Sequence, residues 1–191
     1  MTSTARRLLV SVPTLHDPNF FRSVVFMIEH ADEGAVGVVL NQPSETRLVD
    51  VLPEWAAASA LPAVAFVGGP VQPQDALIGL ARFTPRGGAG EEGADAWQPL
   101  LGRIGIVDLG RSPDEARGAI EAVRVFAGYS GWGPGQLDRE LEQGGWFVVD
   151  ADPDDILTPD PASLWRVVLR RQGGDVAVSA NYPRHADPTA N

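Results

Sequence analysis

Cysteine and lysine are both absent from the 191 residues. Without cysteine there is no disulfide, no zinc–thiolate site and no thiol nucleophile. All 15 basic residues are arginine, which is a mark of genome composition more than of function. Positive charge is also scarce: 25 acids outweigh those arginines for a net charge of −10, so non-specific attraction to nucleic acid is disfavoured and direct nucleic-acid binding is not expected. The visible basic cluster, Arg166, Arg170 and Arg171, reads as cations complementing a helix C-terminus. Long apolar runs are missing as well. Leu8–Val12 ends at Pro13, too short for a signal-peptide core or a membrane span, so a cytoplasmic protein with no membrane association is expected.

The length suits one domain, able to bury roughly 70% of its unfolded surface, with 1–180 as its extent and 181–191 as a disordered tail. Leu8–Val12 reads as a strand, and Thr14–Asn19 as a connection with turn chemistry at Asp17-Pro18. Val24–His30 and Ala35–Leu40 form the main hairpin around Gly34, with Val24, Phe26, Ile28 and His30 on one face and Val25, Met27 and Glu29 on the other. Arg47–Ser59 holds a short helix broken at Pro53 and anchored by Trp55. Ala63–Val67 and Ala76–Phe83 are strands about a constrained Gly68–Asp75 turn, and residues 84–99 form a long polar loop. After a strand at Ile104–Leu109, Ser112-Pro-Asp-Glu115 is a capping box, which predicts a helix carrying Ala116, Ile120, Val123 and Phe126 or Ala127. Ser163–Gln172 is a last helix with Leu164, Trp165, Val168 and Leu169 inward, and Val176–Val178 an edge strand. The order is neither a clean βαβ alternation nor all-β, so the class is mixed α/β (α+β).

The densest information lies between Phe126 and Trp146. Gly128, Gly131, Gly133 and Gly135 imply a tightly specified path. Gly133-Pro134 reads as a helix start, Leu137 and Leu141 share one face, Gln136 and Glu140 another, and Gly144-Gly145 stops the helix before a strand at Trp146–Val149.

The stretch Gly128-Tyr-Ser-Gly-Trp-Gly-Pro-Gly-Gln-Leu-Asp-Arg-Glu-Leu141 resembles the signature of the YqgE/AlgH family of bacterial proteins. The resemblance extends through Leu8–Pro13, Asp17-Pro18 with Phe20, Val24–His30, Gly34–Leu40 with Asn41 and Pro43, and Gly68–Val71. It implies a mixed sheet curled into a small, partly closed β-barrel with helices packed outside, and an association with transcriptional regulation. The family commonly has arginine where this chain has Gln42.

Chemical motifs are sparse. Gly128-Tyr-Ser-Gly-Trp132 brings its second glycine one residue too early for a nucleophile elbow, and Ser130 lacks a base. The glycines match neither the Walker pattern nor the dinucleotide fingerprint. His16 and Asp17 are adjacent, and Glu29 points away from His30 across a strand, so no metal set converges and no cofactor is expected. Arg22 is set to pair with Asp17 or Glu140, or to face a ligand carboxylate, and Asn41 suits an Asx turn. The leading expectation is a non-enzymatic binding or regulatory protein that contacts an unknown protein or small-molecule ligand through Asp17, Arg22, His30, Asn41, Gly68, Gly69, Tyr129, Trp132, Gln136 and Glu140. The alternative is an enzyme using Glu140 with His30 or Asp17 as acid and base on a small polar or phosphorylated metabolite, which requires those groups to meet.

Overall fold

The computed structural model describes residues 3–85, 97–113 and 119–183. In chain order its strands are β1 (Arg7–Ser11), β2 (Val24–Ala31), β3 (Gly34–Val39), β4 (Pro43–Arg47), β5 (Val64–Val67), β6 (Leu77–Phe83), β7 (Trp97–Leu101), β8 (Ile104–Val107), β9 (Ile120–Ala127), β10 (Ser130–Trp132) and β11 (Trp146–Asp150). The helices are α1 (Leu48–Val51), α2 (Gln136–Glu142), α3 (Pro153–Ile156), α4 (Leu164–Gln172) and α5 (Gly174–Ser179), with a 3-10 helix at Pro53–Ala58. One sheet has the order β10-β3-β2-β1-β11 and is antiparallel throughout. The other has the order β4-β5-β9-β6-β8-β7, with β5 and β9 parallel.

Alternation along the strands builds three apolar clusters. Leu8, Val10, Val24, Phe26 and Val38 from the first sheet meet Phe66, Leu80 and Phe126 from the second, together with Leu164, Trp165, Val168 and Leu169 of α4. On the outer face of the first sheet, Leu9, Val25, Met27 and Val39 pack with Trp132, Trp146 and Leu137 of α2. On the outer face of the second, Ala81, Phe83, Val123 and Val125 are covered by Leu48 and Trp55. Strands covered on both faces lose the polar half of their alternation, which is why β2 reads as nearly continuous hydrophobic sequence.

The class is mixed α/β, and the barrel gives way to two open sheets. They touch where the Val39 N–H donates to the Gly68 carbonyl at 2.9 Å, and among the described residues β4, β7, β10 and β11 are the sheet edges. Helix α4 packs from outside, laying Leu164, Trp165, Val168 and Leu169 on the cluster between the sheets while Val167 and Arg170 stay exposed, and its Trp165 indole N–H donates to the Ser11 carbonyl at 3.0 Å.

Four local readings change. A bulge at Ile28 pairs Met27 with Gly37 but Glu29 with Val36, so the faces exchange and His30 joins Val25 and Met27 instead of Phe26. The helix expected after Ser112 is replaced, over Ile120–Ala127, by β9; residues 114–118, which held the rest of its capping box, lie outside the described residues. There Val123 and Val125 face one cluster while Phe126 faces another, and pairing with both β5 and β6 outweighs the helical spacing. Val176–Val178 belongs to helix α5, because the chain folds back on α4 and reaches no sheet edge. Helix α2 begins at Gln136 after Gly135, whose φ is 64°, two residues later than the proline implied.

Two strands, β4 and β10, were not legible as such, and β7 takes the end of the expected 84–99 loop; residues 86–96 of that loop lie outside the described residues. The expected tail of 181–191 overlaps the described residues at its start. Asn181 and Tyr182 donate backbone N–H groups to Val178 and Ser179, and residues 184–191 lie outside the described residues.

Candidate functional site around the glycine signature

The signature begins as a crossing of two backbones. Gly128 N–H donates to the Ala76 carbonyl, Gly68 N–H to the Ala127 carbonyl, and Tyr129 exchanges both backbone bonds with Val71. Side chains have no room here. A Cβ on Gly68 would lie 2.3 Å from the Gly128 oxygen, and one on Gly69, at φ 151°, 2.4 Å from Tyr129 backbone atoms. Gly68 and Gly69 therefore serve close approach. Ser130 is fully buried and its hydroxyl donates to the Gly68 carbonyl at 3.1 Å, which ties the crossing together and removes the hydroxyl from nucleophilic use.

Beyond the crossing, α2 returns Glu140 to the strands. Its Oε2 accepts from the indole N–H of Trp132 at 3.0 Å and of Trp146 at 2.9 Å, while Oε1 accepts from the Gln136 carboxamide at 3.0 Å. Gln136 in turn accepts from the Gly133 N–H at 3.1 Å. Trp132 and Trp146 meet edge to face at 6.2 Å, and Phe20 stacks on Trp132 at 6.0 Å. One carboxylate thus joins β10, α2 and β11, using charge-assisted bonds that leave the indoles satisfied.

The other candidate residues sit apart from that clamp. Asp17 accepts from the Asn19 N–H at 2.8 Å in its own loop. Arg22, at φ 51°, places its guanidinium 4.9 Å from the Trp165 ring and donates to the Tyr182 carbonyl at 2.6 Å. Asn41 makes a bracket: its carboxamide accepts from the Val24 N–H at 2.9 Å and donates to the Arg22 carbonyl at 2.8 Å, which fixes the start of β2. The His30 ring accepts from the Thr4 N–H through Nδ1 at 3.2 Å, and its Nε2 faces Asp138 of α2 at 3.7 Å. An Nδ1 that accepts leaves the neutral ring's proton on Nε2, toward the carboxylate. Glu140, His30 and Asp17 therefore have separate partners, and the acid–base constellation does not assemble from them.

What remains open beside the signature is a groove of about 370 Å³ along β10, the β2–β3 turn and Val71. Glu29, Glu33, Val36, Val71, Tyr129 and Gly131 line it. Of the ten candidate residues only Tyr129 and Trp132 reach it. Neither Glu29, weighed in the sequence only as a metal ligand, nor Glu33 was legible as a groove residue, since the Ile28 bulge that sets which way Glu29 points leaves no mark in the sequence.

A fully buried charge lies elsewhere, with no mark in the sequence. Arg124 of β9 is 1% exposed and donates to the carbonyls of Leu61 at 2.6 Å, Thr158 at 3.0 Å and Ile156 at 3.2 Å, with Phe66 4.3 Å from its guanidinium. Burial pushes its pKa down to about 10, so it stays charged at neutral pH. In the basic cluster, Arg171 pairs with Asp155 at 2.6 Å; that hydrogen bond chiefly holds its pKa above the ordinary value.

Fold and site together define a protein of two open sheets, joined at a glycine crossing and locked by one carboxylate between two indoles. The chain belongs to the AlgH-like family, whose model matches residues 8–177. It is 47% identical over 191 residues to a UPF0301 protein of Streptomyces coelicolor, covering 100% of this chain and 97% of that one. With a UPF0301 protein of Thermobifida fusca the identity is 48% over 190 residues, covering 96% and 93%. A crystal structure of a Corynebacterium diphtheriae protein superposes with a TM-score of 0.85 at 32% identity over 93% of this chain and 92% of that one. The solution structure of AlgH from Pseudomonas aeruginosa gives 0.64 at 26% identity over 97% of both chains.

Proposed function

We propose that this is a cytoplasmic, non-enzymatic binding protein that holds a partner on the groove beside the glycine signature. The carrying observation is how the signature's polar groups are used. The Glu140 carboxylate, the Gln136 carboxamide and the Ser130 hydroxyl all bond inward, whereas the adjoining groove presents Glu29, Glu33 and the Tyr129 ring. The first set builds a rigid platform, and the second is a surface for contact. Any effect on transcription would pass through the bound partner, since the net charge of −10 opposes direct attraction to DNA.

The test is native mass spectrometry of the protein purified gently from its own cells, beside a Tyr129→Ala variant. A retained partner that disappears with Tyr129→Ala supports the reading. Wild-type protein that carries nothing, or a partner indifferent to Tyr129, counts against it.

A further inference from the structure

Gly131 is a glycine that the fold does not require. Gly68, Gly69 and Gly128 are forced by backbone atoms within 2.8 Å of any added Cβ, and Gly135 by its φ of 64°. Gly131 has neither constraint: its φ lies outside the left-handed region, and a Cβ there would come no closer than 3.4 Å to the Tyr129 ring and 3.6 Å to Val71. Glycine inside a strand weakens it through backbone entropy, and such a residue often marks the close approach of a ligand or another backbone.

Its position says what approaches. Gly131 pairs with Val36, and Val36 with Glu29, so the three form one row across β10, β3 and β2, and that row lies in the groove. β10 is an edge strand. The Tyr129 N–H and C=O pair with Val71, so strand alternation turns those of Gly131 the same way, off β3 and toward the open edge. The charged residues lining the groove, Glu29 and Glu33, are both acidic. A bare peptide group at a sheet edge, an aromatic ring and two carboxylates match an extended chain that carries a cation.

We infer that the groove binds an extended peptide segment bearing arginine or lysine, with its backbone against Gly131 and its cation at Glu29, Glu33 and Tyr129. This rests on the groove being the contact surface, as proposed above. A free guanidinium or amine would satisfy the carboxylates alone; the exposed peptide group selects a segment of chain.

The probe is the capped pentapeptide acetyl-Val-Thr-Arg-Thr-Val-amide, titrated into the isotope-labelled full chain and followed by amide NMR, beside the same peptide with citrulline for arginine. The expected result is shifts at Gly131, Val36 and Glu29, with binding weakened about tenfold or more by citrulline, by Glu29→Gln with Glu33→Gln, and by higher salt. Gly131→Val should abolish binding while its spectrum elsewhere stays that of the folded wild type. Arginine amide shifting Glu29 as strongly as the peptide, with no effect at Gly131, would overturn the peptide assignment. Shifts elsewhere, or equal binding of the citrulline peptide, would overturn the charge assignment. If a cell-derived partner is lost on Tyr129→Ala while the basic peptide fails to bind, the cationic chemistry is wrong and the groove stands. If both fail, the binding reading itself falls.

Discussion

Glu140 and Arg124 are the two charged side chains around which this protein is built, and they are held in opposite ways. Glu140 keeps part of its surface in solvent and is held by side-chain donors: two indole N–H groups and one carboxamide. Arg124 is 1% exposed and held by three backbone carbonyls and an aromatic face. The carboxylate locks together elements that are close in sequence, within Trp132–Trp146. The guanidinium ties β9 to segments 32 to 63 residues away, at Ile156, Thr158 and Leu61. Local charge can therefore be anticipated from a helical face, while a distant one cannot.

Substitutions should separate the two. Arg124→Ala is expected to be the most damaging, at about 3–5 kcal/mol in urea unfolding, because it empties core volume and strips three carbonyls of their donor. A loss below about 1 kcal/mol would show that the guanidinium is a passenger. Gly69→Ala should follow at about 2 kcal/mol or more, since its Cβ would enter the backbone of Tyr129 in a conformation that strains L residues; a stability equal to wild type would mean that the crossing yields. Glu140→Gln should cost about 1–3 kcal/mol, because an amide keeps only one accepting oxygen: turned toward the indoles it sets its NH2 against the Gln136 carboxamide, and turned toward Gln136 it strips both indole N–H groups of their shared acceptor. It should also alter the near-ultraviolet circular dichroism of the paired tryptophans, and an unchanged spectrum would contradict the clamp. Gly131→Ala sits at the other end, within about 0.5 kcal/mol of wild type. If it instead destabilises as Gly69→Ala does, Gly131 is architecture like its neighbours and the groove has no spare glycine.

Elements whose signal is contained in a few adjacent residues were legible: the β2–β3 hairpin about Gly34, the left-handed stop at Gly144 with a φ of 73°, and the inward face of α4. The pairing of Gln136 with Glu140 was visible as a four-residue spacing on one face. Elements decided by neighbours were not. Ile120–Ala127 carries helical spacing and β-branched residues together, and the choice falls to the strands on either side. Ile28 looks like any strand residue, yet its bulge turns His30 to Asp138 and Glu29 into the groove. Among the candidate residues, the shared motif identified positions that matter to the fold without separating those that brace it from those that meet a partner.

By itself, the sequence determined the chemistry available and the local turns: no thiol, no lysine, a strongly acidic balance, and glycines where the backbone must bend or pass closely. Tertiary structure alone decided which glycine was spare, which carboxylates were locked and which stayed free, and that a core arginine would be held by carbonyls. The physical reason is range. Backbone preference acts over a few residues, whereas cross-strand register, burial and hydrogen-bond satisfaction are set by chain segments that meet only in the folded protein.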